Sequence, residues 1–223
     1  MKKILTGSAL ACALFASPVF AGPAEYVYTP IVEYGEREID FKFGSRKMSN
    51  RDENKSAASI GLGYGVTERW FTEVYLKYNR ATGTTEFDAI EWENKFQLTE
   101  TGKYPVDLGM LLEIERPQDR TEGYEVKFGP LLQTEFGKTQ VNANLLFTRN
   151  YFADFSNRTQ ASYQYQVKYR LKPTLHLGLQ GFGEVGDWDH WSSRNEQSHR
   201  AGPAIFGKFN LGNRKAIKYN AAY

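Results

Sequence analysis

Any chemistry in this chain has to come from few groups. It holds three histidines and a single cysteine, Cys12. The densest constellation is Asp187-Trp188-Asp189-His190-Trp191-Ser192-Ser193, with two carboxylates, an imidazole and two hydroxyls on one stretch. An Asp/His pair can activate water or a serine for hydrolysis. Asp187, Asp189 and His190, joined by His199, could instead ligate a metal. Against both, neighbours in an extended chain point opposite ways, no helical His pair or cysteine ligand is present, and no Gly-x-Ser-x-Gly elbow occurs. A solvated loop accounts for the stretch more simply. No catalytic residue, metal or cofactor is assigned, and the chain is read as a non-enzyme.

The other chemically suggestive feature is ionic. Glu91/Glu93 and Glu113/Glu115 set like charges two residues apart, a spacing that puts both on one face of a strand. The same period runs along the chain. Asp40 and Lys42 alternate with Ile39, Phe41 and Phe43, and Glu73, Tyr75 and Lys77 with Val74, Leu76 and Tyr78. Glu91, Glu93 and Lys95 alternate with Ile90, Trp92 and Phe96, and Asp107, Glu113 and Glu115 with Leu108, Leu112 and Ile114. Glu125 and Lys127 alternate with Tyr124, Val126 and Phe128, and Lys168 and Arg170 with Val167, Tyr169 and Leu171. His176 lies on the polar side between Leu175 and Leu177, and reads as a hydrogen-bonded or lining residue rather than a catalyst. Runs at residues 59–64, 141–148, 204–210 and 216–221 complete eleven predicted strands. Helical spacing would scatter these charges among the apolar residues.

The connections alternate as well. Residues 65–69, 101–104, 137–138, 172–173 and 212–215 form short turns, whereas 48–56, 79–84, 116–123, 150–159 and 185–198 are mostly longer and more polar. Strands joined by tight turns run antiparallel. Short turns at one end with longer loops at the other fit a closed membrane barrel.

Composition sets the class. In 223 residues, 24% are charged, 15% aromatic, and the mean hydropathy is −0.56, which excludes a bundle of apolar spanning helices. Residues 1–21 read as a secretory signal peptide, with Lys2 and Lys3, an apolar run, and Val19-Phe20-Ala21 at the cleavage site. A chain starting at Gly22 has no cysteine and therefore no disulfide. Removing Lys2 and Lys3 from the 28 basic residues leaves 26, against 26 acidic, so there is no basic excess and no nucleic-acid partner is expected. Residues 22–223 read as one domain.

Alternation alone does not say which face is inside, and a soluble barrel alternates too. Three features favour a membrane barrel: a polar face that is heavily ionic, runs near the 9–11 residues needed to cross a tilted wall, and aromatics close to the predicted strand ends, including Tyr64, Trp70, Tyr78, Tyr104, Tyr124, Tyr151 and Tyr169. Bacterial single-chain barrels have an even strand number. Either a twelfth strand lies beyond Tyr223, the reading preferred here, or residues 26–34 supply it despite Pro30.

The exported leader, the tract Tyr28-Thr29-Pro30-Ile31-Val32-Glu33-Tyr34-Gly35-Glu36, the turn Tyr64-Gly65-Val66-Thr67-Glu68-Arg69-Trp70 and the dyad-repeat hairpins resemble those of small proteobacterial outer-membrane β-barrel proteins of about twelve strands. The ending Tyr219-Asn220-Ala221-Ala222-Tyr223 is similar to their C-terminal assembly signal, which usually ends in Phe. The resemblance implies an all-β, antiparallel up-and-down transmembrane barrel in the outer membrane of a Gram-negative bacterium, with membrane lipid and the barrel-assembly machinery as partners. The expected activity is a passive pore for small hydrophilic solutes. Its lining would comprise Asp40, Lys42, Glu73, Lys77, Glu91, Glu93, Lys95, Asp107, Glu113, Glu125, Lys127, Lys168, Arg170 and His176. The alternatives are a structural or surface-binding barrel using residues 48–56 and 185–198, and a membrane-embedded hydrolase using His190.

Overall fold

The computed structural model describes residues 24–47, 54–81, 83–212 and 215–223. The expected leader and most of the 48–56 loop lie outside them. One antiparallel up-and-down sheet of 12 strands curls into a half-barrel. Its strands are β1 (Arg37–Lys47), β2 (Asn54–Thr67), β3 (Trp70–Ala81), β4 (Thr84–Gln97), β5 (Asp107–Pro117), β6 (Tyr124–Phe136), β7 (Thr139–Tyr151), β8 (Gln160–Lys172), β9 (Leu175–Asp187), β10 (His190–Trp191), β11 (Ser198–Gly212) and β12 (Lys215–Ala222). Each long strand pairs with its neighbour in chain order, and the two-residue β10 folds back on β9. The eleven predicted runs are the eleven long strands, which mostly extend past the alternating cores seen in sequence.

The faces differ sharply. Ile39, Phe41 and Leu62 point out from the convex side at 79%, 70% and 65% exposure. The buried set holds at least as many polar as apolar side chains and includes Glu73, Glu91, Glu93, Glu113, Asn142, Asn144, Gln164 and Gln166. A water-soluble barrel buries its apolar face; this sheet buries its ionic one.

Residues 26–34 form no strand. They run from the short-turn end into the concavity as a strap, with Val27, Tyr28, Pro30 and Val32 buried. Gly35 N–H donates to the Gly65 carbonyl at 2.8 Å and fixes the strap's exit beside the β2–β3 turn. Pro30 packs on Gly109 of β5, where a Cβ would collide with the proline ring. Tyr28 joins Leu111, Leu131 and Leu146 in a small apolar cluster, with Tyr26 beside it. Pro30 lacks an N–H and would weaken a strand ladder, yet it suits a non-strand strap.

Among the described residues, β1 and β12 share no ladder and are the two ends of the sheet. Lys218 of β12 reaches β1 and the residue before it by ion pair, with Nζ 2.6 Å from Glu36 and 4.0 Å from Glu38.

Candidate functional site: the ionic concave face

Strand register turns the sequence dyads into rows. Glu73 of β3 stands opposite Glu93 of β4, Glu93 opposite Glu113 of β5, and Glu113 opposite Lys127 of β6. Two residues along, Tyr75, Glu91, Glu115 and Glu125 make a second row over the same strands. Adjacent strands lie about 4.8 Å apart, so like charges in a row repel strongly unless cations enter. Lys127 Nζ bonds Glu113 at 2.7 Å, and Lys77 Nζ bonds Glu91 at 3.0 Å and also donates to Glu115. Asp40 accepts from the Tyr75 hydroxyl at 2.9 Å and lies 3.6 Å from Lys42 Nζ. Lys42 in turn sits 3.6 Å from the ring centres of both Tyr26 and Tyr75.

The strap adds neutral hydrogen-bond donors to these carboxylates. The Tyr26 hydroxyl donates to Glu93 at 2.6 Å, and the Tyr28 hydroxyl donates to Glu113. Glu93 and Glu113 are only 1% and 2% exposed, depths at which a carboxylate without partners costs several kcal/mol. Val32 N–H donates to Gln97 Oε1 at 2.8 Å, and Asn144 Nδ2 donates to the Tyr28 carbonyl at 3.1 Å. These amides satisfy backbone groups that a strap, unlike a strand, cannot pair in a ladder. Glu25 spans to the far wall, where Arg200 of β11 meets it at 2.7 Å.

The carboxylate oxygens of Glu91, Glu93 and Glu113 lie within 4.8 Å of one another, close enough to hold a cation. Lys77, Tyr26, Lys127 and Tyr28 already occupy that position as donors. The cluster reads as an internal ion-pair network.

β6 to β9 supply neutral amides beside the acidic wall. Gln140 Nε2 donates to Asn142 at 2.8 Å and to Gln133 at 3.0 Å, and Asn144 donates to Gln164 at 3.1 Å. Beyond them the wall turns basic. Arg170 grips Glu135, one bond measuring 2.8 Å, and reaches Gln140 at 2.9 Å. His176 is opposite Arg170 in register. Lys168 lies 5.1 Å from the Phe206 ring and Lys95 4.8 Å from the Phe71 ring. Neither lysine forms a close ion pair with the acidic rows among the described residues. Asp107 accepts from Gly102 N–H at 2.7 Å and pins the β4–β5 turn.

Several groups of the loop constellation are held by other partners. Asp187 and His190 pair in register, but the Asp187 carboxylate is taken by Gln160 at 2.6 Å and Arg158 at 3.3 Å. His199 Nδ1 lies 2.9 Å from the Tyr163 hydroxyl, and its Nε2 lies 3.0 Å from Gln197. Ser193 bonds Glu196 at 2.9 Å.

Sequence reasoning missed the strap's role, and with it Glu25, Tyr26, Tyr28, Gln97 and Arg200. The available signal was the alternation Tyr26-Val27-Tyr28 next to a proline, which argues against a strand and leaves two hydroxyls to find polar partners. It also missed Asn94, a convex-face polar residue whose Oδ1 accepts from Trp70 Nε1 and Thr72, both at 3.0 Å, while Trp92 Nε1 donates to Thr72 at 2.8 Å. Two indoles thus bond to a polar pair on a largely apolar surface.

No protein-family model matches the chain, and no curated protein is similar to it at a significant level.

Proposed function

We propose that this protein is an outer-membrane barrel through which small hydrophilic solutes pass along its ionic concave face. One observation carries the reading: the sheet turns apolar side chains outward and packs its carboxylates, lysines and amides inward, with Glu93 and Glu113 among its most buried residues. That polarity suits a cylinder with hydrocarbon outside and water inside. Charged and amide side chains would replace part of a solute's hydration shell, so passage needs neither a cofactor nor a reaction. The strap occupies part of the cross-section and sets the width of the passage.

The strap's hydrogen bonds favour a second reading. If it fills the lumen, the barrel is a closed scaffold presenting its long loops to surface ligands. Planar-bilayer recording separates the two. The pore reading predicts discrete conductance steps for the folded chain, and larger steps when the strap is removed by starting the chain at Tyr34. Folded protein without conductance contradicts the pore; conductance only without the strap favours the scaffold.

A further inference from the structure

The convex face carries arginines where an apolar wall has least use for them. β3, β5 and β7 each bear one near the long-loop end: Arg80, Arg116 and Arg149. Register places them on the outer side, because Arg116 pairs with the exposed Ile90 and Arg149 with Val126, while Arg80 follows the exposed Tyr78 by two residues. None of the three engages a carboxylate among the described residues. Instead the Arg116 guanidinium lies 5.5 Å from the Tyr124 ring and that of Arg149 lies 5.6 Å from the Tyr151 ring. A guanidinium beside a ring rather than a carboxylate keeps its N–H donors available for bidentate contact with a phosphate.

Below Arg80 the surface has a shape as well as a charge. Phe43, Ala58, Tyr78 and Phe87 form one row across β1 to β4, and Ser45, Ser56, Arg80 and Thr85 form the row nearer the loops. Ala58 is small between the rings of Phe43 and Tyr78, and Ser56 is small between Ser45 and Arg80. The result is a groove of about 400 Å³ with Arg80 and Thr85 on its loop side. A second recess of about 260 Å³ sits beside Arg149 and is lined also by Arg158, Asn157, Thr159 and Trp188.

We infer that this arginine girdle binds net-anionic phosphorylated lipid headgroups, whose phosphates no choline offsets, in the leaflet on the long-loop side, with the Ala58 groove seating an acyl chain beneath the phosphate held by Arg80. The inference rests on the membrane reading above. A juxtaposed apolar trough and exposed guanidinium match the two halves of a phosphorylated lipid, whereas a free anion would have no use for the trough. Asp189 also lines the Arg149 recess, which makes Arg80 the better seat.

The test compares urea unfolding of the whole chain in phosphatidylcholine vesicles with and without a diphosphorylated glycolipid, for the wild type and for Arg80→Gln/Arg116→Gln/Arg149→Gln. The glycolipid is expected to raise the wild-type folding constant by about fivefold per arginine. The triple variant should match the wild type in phosphatidylcholine and lose the increment. An Ala58→Trp variant, which fills the groove and keeps the arginines, should lose part of it. Equal response of wild type and triple variant overturns the inference while leaving the membrane reading intact. So does full reproduction of the effect by soluble inorganic phosphate. Failure of the wild type to insert into either vesicle overturns both.

Discussion

Lys127 shows how one side chain holds the acidic wall together. It is the cation at the end of the Glu73, Glu93 and Glu113 row and lies 2.7 Å from a carboxylate that is 2% exposed. Replacing it with methionine keeps the volume and strands Glu113, with only the Tyr28 hydroxyl left as a side-chain partner. Breaking a buried pair from one side costs about 3–5 kcal/mol, so Lys127→Met should lose that much in urea unfolding from vesicles. Lys127→Met/Glu113→Gln should recover most of it. A loss below about 1 kcal/mol for the single variant, the level of an exposed pair, would show that water already screens the row.

At the scale of the strand, alternation was readable because the period of two is a property of the backbone. Glu91, Glu93 and Lys95 fall on the concave side, and Ile90 and Trp92 on the convex side, as their spacing requires. Register was not readable, since it depends on turn length and bulges such as the one between Lys77 and Tyr78. Hence the acidic dyads could be seen, but not the rows they form or the partner each lysine would choose. The outward side chains make a direct prediction. Leu76, exposed in the middle of β3, meets the bilayer interior in the membrane reading, so Leu76→Arg should cost about 2–4 kcal/mol in vesicles. A change within about 0.5 kcal/mol, as for an ordinary surface substitution, would place that side chain in water.

Over the whole molecule, the strap and the seam are what local patterns could not disclose. Residues 26–34 were weighed as a twelfth strand; their tyrosines instead serve the carboxylates of β4 and β5 from within the concavity. That role depends on groups 67 and 85 residues away in the chain, beyond the reach of any periodicity. The seam between β1 and β12, crossed by Lys218, leaves edge N–H and C=O groups without a ladder partner among the described residues. Hydrocarbon does not tolerate such edges, so the membrane reading requires them to be paired, with each other or with another strand. The arginine girdle likewise appears only when three strands are set side by side.

In the membrane reading the convex face meets hydrocarbon and the concave face meets water. A chain starting at Gly22 has no cysteine, so single cysteines can be introduced and spin-labelled at will. Labels along β3 and β8, at consecutive positions from Glu73 to Lys77 and from Gln164 to Lys168, would be read in vesicles by collision with oxygen and with a water-soluble nickel complex. A period of two is expected: oxygen contact dominates at Val74, Leu76, Tyr165 and Val167, and nickel contact is relatively greater at the inward positions between them. The opposite phase, or nickel contact at every position, would contradict it.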